Sequence, residues 1–354
     1  MPRFYSLRVN DIQRETADCV SVAFQIPEQN HDDFHFIQGQ YLTIKAVIEG
    51  EEIRRSYSIC SSPTDKELRV AVKKVPKGRF STYANENLKV GDILEVMPPM
   101  GNFYTQLDPK NKRHYVAFAA GSGITPIMSI LKTVLKTEPQ SAFTLFYGNR
   151  ATDSIIFLEQ LEALKNVYLG RLSVHHILSR EHPGSDLFYG RIDQDKCRSY
   201  FQHLIDIKDI DEFFLCGPAP MIEGVSDTLQ ELGADKKKIH FELFSSAGSS
   251  VARRDISNVP KIESSISIKL DGITHHFPLS SDGDTILDAA LKGGLDLPFA
   301  CKGGVCCTCR AKLIEGTAEM EVNYALEAEE VAAGYILTCQ SHPTSSKLVV
   351  DFDV

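Results

Sequence analysis

Residues 300–309 read ACKGGVCCTC, and four of the chain's nine cysteines fall inside this run. The spacing is Cys301-x4-Cys306-x2-Cys309, followed after 29 residues by Cys339. A pair of bridged irons needs four thiolates, and one tight loop supplies three of them only if it wraps the cluster. Gly303 and Gly304 give that loop the close backbone approach and positive φ it needs. Its backbone N–H groups then donate to the sulfurs and tune the potential. A zinc ribbon would place a C-x2-C pair on each half, whereas the distant half here offers a single cysteine. The run is read as the ligand loop of a [2Fe–2S] cluster held by Cys301, Cys306, Cys309 and Cys339. Cys307 is read as a thiol inside the loop that is not a ligand. Cys19, Cys60 and Cys197 have no metal-like spacing and read as structural.

Outward from this loop, the segment from residue 265 to the C-terminus contains 13 acidic and 6 basic residues, a net of −7 out of −9 for the whole chain. Such a bias argues against a nucleic-acid partner. It can steer a basic protein surface, although an ordinary solvated face accounts for it equally well. The chain has 354 residues, enough for two or three domains, with 43% apolar and 24% charged side chains, as in proteins with a sizeable core. There is no basic n-region followed by an apolar h-region. No apolar run reaches the ~18 residues that a membrane helix needs. A cytoplasmic protein without a membrane partner is the expectation, and clustered cysteines in that compartment point to metal or redox chemistry.

The rest of the chain divides into blocks. In the first, 1–107, apolar or β-branched runs at Leu42–Ile48, Leu68–Val75 and Ile93–Val96 are punctuated by Gly39, Gly50, Gly78, Gly91 and Gly101. This pattern predicts an antiparallel β-barrel. In the second, 108–245, strands at Tyr115–Ala120, Phe143–Tyr147, Leu172–Leu178 and Phe213–Leu215 alternate with helical runs from Pro126 and from Ser154. That alternation predicts a doubly wound α/β domain. The small, polar stretch 246–264 reads as a linker, and 265–354 as the cluster domain.

Three strand-end motifs converge in the second block. Gly121-Ser122-Gly123-Ile124-Thr125-Pro126 follows a strand and opens a helix, with Thr125 a candidate cap. Tyr147-Gly148-Asn149-Arg150 and Cys216-Gly217-Pro218 end two further strands. Singly, each could be a loop that only turns. Jointly they mark one nucleotide crevice at the strand C-termini. In the barrel block, Arg55-Ser56-Tyr57-Ser58 offers a cation for phosphate, a ring for stacking and a hydroxyl for hydrogen bonding. Gly78-Arg79-Phe80-Ser81 precedes a helix expected over Tyr83–Leu88, a second anion-binding N-terminus. These residues suit a flavin and leave FMN as well as FAD open.

In that order, R-x-Y-S, G-x-x-S, G-x-G-x-x-P and C-G-P resemble the ferredoxin–NADP reductase superfamily over residues 1–245. With the plant-type ferredoxin module, of α+β (β-grasp) fold, the whole chain is similar to flavin- and iron–sulfur-containing oxygenase reductases. EIRRSYSIC, AAGSGITPI, ACKGGVCCTC and MEVNYALEAEEVAAGYILTCQ resemble the reductase subunits of phenylacetyl-CoA epoxidase complexes in particular. The resemblance implies FAD, held by Arg55, Tyr57 and Ser58, with Gly78 and Ser81 at its phosphate. It implies that Ser58 lies at the reactive flavin edge and Cys216 beside the nicotinamide, both with catalytic roles. Gly121, Gly123, Thr125, Arg150 and Gly217 would line the nicotinamide nucleotide, with Ser179 and Arg180 at the 2′-phosphate of NADPH. One departure is Gln38, where many relatives carry proline before Gly39; it should alter that turn and not the chemistry.

The resulting expectation is an oxidoreductase that passes electrons from NADPH through FAD and a [2Fe–2S] cluster to an oxygenase component of a multi-subunit complex. Oxygen activation within this chain is not supported. Glu28-Gln29-Asn30-His31 reads as a polar loop, while His175-His176 and His275-His276 are adjacent pairs that point to opposite strand faces. A Rieske oxygenase, a steroid hydroxylase or a fatty-acyl desaturase are alternative partners. A redox-sensing regulator would need an effector or DNA-binding segment, and no basic motif of that kind is visible.

Overall fold

Period-two alternation builds the first sheet. Leu7 and Val9 are fully buried and Arg8 between them is exposed. The computed structural model describes residues 3–244 and 261–354. Strands β1 (Tyr5–Thr16), β2 (Cys19–Gln25), β3 (Tyr41–Ile48), β4 (Glu51–Ser58), β5 (Leu68–Lys73) and β6 (Ile93–Val96) form one antiparallel sheet in the order β4-β3-β6-β1-β2-β5. A bridge from Ile59 to Val70, with Cys60 N–H donating to Arg69 O at 2.8 Å, joins the two edges, so the sheet closes as the expected barrel. Helix α1 (Arg79–Glu86) starts directly after Gly78, earlier than the expected Tyr83, and buries Phe80 and Ala84 against the barrel core.

The second domain contains β7 (His114–Ala120), β8 (Ala142–Asn149), β9 (Leu172–Leu178), β10 (Glu212–Gly217) and β11 (Ile239–Leu243), all parallel in the order β11-β10-β7-β8-β9. This is the doubly wound order, with its switch point between β7 and β10. The central strand is apolar on both faces because each face has its own helices. Tyr115, Ala117 and Ala119 pack with α2 (Ile124–Thr137) and α3 (Leu158–Val167). Val116 and Phe118 pack with α4 (Gln194–His203) and α5 (Ala219–Glu231). Helix α2 begins before Pro126. Its N-cap is Gly123, and Thr125 donates back to Ser122 O at 3.0 Å, so Thr125 stabilises the turn and does not cap the helix.

The third domain contains β12 (Glu263–Leu270), β13 (Ile273–Ser280), α6 (Ile286–Lys292), β14 (Arg310–Glu315), β15 (Ala318–Met320), α7 (Ala328–Ala332), β16 (Tyr335–Leu337), β17 (Ser341–Pro343) and β18 (Lys347–Asp351). Its main sheet runs β13-β12-β18-β14-β16, with β12 and β18 parallel. Thr285 caps α6 by accepting from Asp288 N–H at 3.2 Å. The helix lays Ile286, Leu287 and Ala290 on Ile266, Ile268, Leu348 and Val350. β12 is already a strand at Glu263, inside the expected linker; positions 246–260 of that linker lie outside the described residues. Among the described residues no helix is long and apolar enough to cross a membrane.

Candidate redox site

The cysteine loop sorts its thiols into pairs. Cys306 Sγ lies 3.1 Å from Cys301 Sγ, and Cys309 and Cys339 meet side chain to side chain. Cys306, Cys309 and Cys339 are buried, and Cys301 is half-buried. The Cys306 thiol, then the backbone N–H groups of Gly303, Val305 and Cys306, hold Cys301 below the ordinary thiol range. The contact with Cys309, then Gln340 and the Gly304 N–H, do the same for Cys339. Lys302 at φ 50° and Gly304 at φ 72° fold the loop so that its amides face sulfur, with Gly303 N–H 3.3 Å from Cys301 Sγ. Two thiol pairs in an amide cradle fit two irons sharing four ligands. Cys307 belongs to neither pair; its thiol lies 3.2 Å from the Tyr41 hydroxyl of the barrel.

A cavity of about 200 Å³ lies where all three domains meet. The barrel contributes Arg55, Ser56 and Ser58, the end of β11 contributes Glu242 and Phe244, and the cluster loop contributes Cys301 and Cys306. Ser58 Oγ donates to Glu242 Oε2 at 2.8 Å. Burial raises the Glu242 carboxyl to about 7, against the opposing pull of Ser58. Glu242 carries no recognisable motif. Its signal in the sequence is one acid inside the apolar run Phe241–Phe244, at the last strand of a nucleotide domain.

Of the expected flavin residues, Arg55 and Ser58 line this cavity, and Tyr57, Gly78 and Ser81 do not. Arg55 makes no ion pair among the described residues, and its Nη1 donates only to the Arg54 carbonyl at 2.7 Å, so the guanidinium can still take a phosphate. Tyr57 packs its ring on Phe80 at 5.4 Å. At Gly78 a Cβ would sit 2.4 Å from Ser81 Oγ and 2.5 Å from Val75, so no side chain fits there. Helix α1 has no side-chain cap, which leaves its first N–H groups free for an anion. The Ser81 hydroxyl itself is engaged in the turn, donating to Gly78 O at 3.1 Å and accepting from Val75 N–H at 3.2 Å. These features fit a bound flavin nucleotide.

At the switch point the expected nucleotide motifs pack against one another. A Cβ on Gly123 would lie 2.0 Å from the Cys216 carbonyl oxygen, so the Gly121 turn and the end of β10 pack backbone to backbone. Gly121 takes φ 55°, and α2 also lacks a side-chain cap. Gly217 faces Met221, whose Cε would be 2.6 Å from an added Cβ. Cys216 is fully buried and pairs in register with Glu242; burial, then the Glu242 charge, push its thiol well above the ordinary range. At the ends of β8 and β9, Arg180 N–H donates to Arg150 O at 2.8 Å and Ser179 Oγ to Asn149 O at 3.3 Å. Both arginine side chains are exposed at this edge. Two exposed cations side by side at this sheet edge fit a phosphorylated nucleotide.

Known proteins agree with this layout. The oxidoreductase FAD-binding domain family matches residues 6–104, the oxidoreductase NAD-binding domain family residues 118–227, and the 2Fe-2S iron–sulfur cluster binding domain family residues 268–344. The chain is 46% identical over 353 residues to the E subunit of 1,2-phenylacetyl-CoA epoxidase from Escherichia coli, covering 100% of this chain and 99% of that one. It is 34% identical over 358 residues to the ferredoxin reductase component of 3-ketosteroid-9-alpha-monooxygenase from Rhodococcus rhodochrous, covering 98% and 96%. Phthalate dioxygenase reductase has the same fold, with a TM-score of 0.60 at 23% identity over 99% of this chain and 98% of that one. Barrel, doubly wound sheet and cysteine-loop domain follow one another in a single chain, and the chain belongs to the family of oxygenase reductase components that combine FAD-binding, NAD-binding and [2Fe–2S] domains.

Proposed function

We propose that this reductase draws its electrons from NADPH in preference to NADH and delivers them to an oxygenase that epoxidises phenylacetyl-CoA. The meeting of three domains at one cavity carries the reading: Ser58, Glu242 and Cys301 line the same space. Bound there, FAD would supply two-electron acceptance and the [2Fe–2S] cluster one-electron release.

The chain's own residues provide orientation and charge. Arg55 and the N-terminus of α1 would hold the flavin's phosphates, and Tyr57 would pack on its ring. Ser58 and Glu242 hold a proton at the cavity wall, on the hydroxyl that donates to Glu242 Oε2. Gly123 and the Cys216 carbonyl, packed backbone to backbone, would form the floor under the bound nucleotide. Ser179, Arg150 and Arg180 would select the 2′-phosphate by charge-assisted hydrogen bonds. Cys301, Cys306, Cys309 and Cys339 would bind the irons.

The whole-chain likeness to a phenylacetyl-CoA epoxidase component is stronger than that to a steroid monooxygenase reductase, which favours the phenylacetyl-CoA partner. Nine free thiols suit a reducing compartment, so the proposed location is the cytoplasm. The test is reconstitution. Purified holoprotein should support NADPH-dependent epoxidation of phenylacetyl-CoA by the di-iron oxygenase with which it co-purifies. Co-purification with a Rieske or steroid oxygenase, or cytochrome c reduction that is negligible with both cofactors bound, would overturn the assignment.

A further inference from the structure

The hairpin that carries the flavin motif also carries the ferredoxin domain. In the β3–β4 register Tyr41 lies opposite Ser58, Thr43 opposite Ser56 and Lys45 opposite Arg54, so these six side chains share one face. That face is covered by the segment from Asp296 to Thr308. Tyr41 is 5% exposed, and its ring packs within the ferredoxin core beside Cys306, Cys307 and Cys309. The Tyr41 hydroxyl accepts from Cys307 N–H at 3.0 Å and lies 3.2 Å from both Cys307 Sγ and Thr308 Oγ1. Thr43 Oγ1 reaches the same Thr308 hydroxyl at 3.1 Å. Gly101, at φ 118°, makes room for the ring: a Cβ there would lie 3.0 Å from Tyr41 Cδ1.

A second anchor lies on the same face. Arg54, 6% exposed, donates to Asp296 Oδ1 at 2.7 Å and to Leu297 O at 3.2 Å, and its guanidinium stacks 4.4 Å over Phe299. Displacing this segment would leave the buried Tyr41 hydroxyl unpaired, whereas Arg54 would keep its ion pair with Glu52 at 2.7 Å within the barrel.

We propose that Tyr41 is a positioning residue for electron exit. Its hydroxyl ties the cluster loop, at Cys307 and Thr308, to the strand facing Ser58, and Arg54 secures the approach to that loop. With a flavin held at Arg55 and a cluster held by Cys301, Cys306, Cys309 and Cys339, this tie would set their separation for a one-electron transfer, one electron lost by the flavin and one gained by the cluster, with no bond made or broken. The inference rests on the flavin reading given above. It also gives Cys307 a purpose: its amide and thiol are the docking contacts.

The experiment compares wild-type holoprotein with Tyr41→Phe and with the double variant Tyr41→Phe/Arg54→Met. Stopped-flow absorbance follows flavin and cluster reduction by NADPH separately, and hydrogen–deuterium exchange follows the amides of residues 296–308. Removing the hydroxyl and its hydrogen bonds should raise exchange across that segment roughly tenfold. The double variant should raise it further and slow cluster reduction relative to flavin reduction. Wild-type exchange and an unchanged ratio of the two rates in both variants would overturn the proposal. So would equal slowing of both steps, which marks general structural damage. Failure of NADPH to reduce the wild-type flavin would sink the proposed function instead, and the exchange measurement would still decide the role of Tyr41.

Discussion

Ser58 Oγ donates to Glu242 Oε2 across 2.8 Å, joining the last residue of barrel strand β4 to the last strand of the nucleotide domain. Burial has pushed this carboxyl up to about 7. The folded protein therefore holds its proton more tightly than the unfolded chain between the ordinary value of 4.5 and about 7. Stability from this group is greatest below that window and is lost as pH rises through it, by about 3 kcal/mol at most. Glu242→Gln keeps the shape without the charge. Urea unfolding should show the variant gaining on the wild type as pH rises from below 5 to above 7. The rate of flavin reduction by NADPH should lose a titration near pH 7 in the same variant. Parallel pH profiles for both proteins would exclude the carboxyl from this role.

Glu242 also shows where sequence reading stops. The cluster domain is legible because metal geometry fixes cysteine spacing along one loop, from Cys301 to Cys309. The glycine turns are legible because a dinucleotide needs backbone to approach it closely. Ser58–Glu242 and Tyr41–Cys307 join residues 184 and 266 positions apart, and neither partner has a local pattern that demands the other. Such pairs are set by domain packing. The helix starts at Arg79 and Ile124 differ from expectation for a related reason: each helix opens on an uncapped glycine, and the polar residues that resemble caps, Ser81 and Thr125, are turned back into their own turns.

Gly123 tests the crevice floor. Alanine there places a methyl 2.0 Å from the Cys216 carbonyl oxygen, and the neighbouring atoms are backbone that cannot rotate away. Overpacking of this kind costs about 1–3 kcal/mol. Gly123→Ala should lower the melting temperature and raise the KM for NADPH, since the two strand ends it separates carry the proposed nucleotide site. A melting temperature and KM equal to the wild type would show that the strand ends yield freely.

Arg180 tests the choice of nucleotide. Its side chain is exposed beside Arg150 at the ends of β9 and β8, and its backbone N–H already holds the two loops together. Arg180→Ala keeps that backbone bond and removes only the cation. Without this charge-assisted hydrogen bond to phosphate, kcat/KM for NADPH should fall by roughly tenfold, with NADH nearly unchanged. Equal kcat/KM for the two nucleotides in the wild type, with neither altered in the variant, would remove the basis for an NADPH preference.

The cysteine loop gives the last contrast. Cys306 and Cys307 are neighbours with opposite roles, the first paired with Cys301 Sγ at 3.1 Å and the second turned to the Tyr41 hydroxyl. Cys306→Ser should abolish or strongly shift the electron paramagnetic resonance signal of the reduced cluster. Cys307→Ala should leave that signal in place, because the amide that donates to Tyr41 survives the substitution. Its cost should be confined to the docking contact, about 1 kcal/mol in unfolding free energy. A cluster lost in Cys307→Ala but kept in Cys306→Ser would reverse the assignment of ligand and anchor.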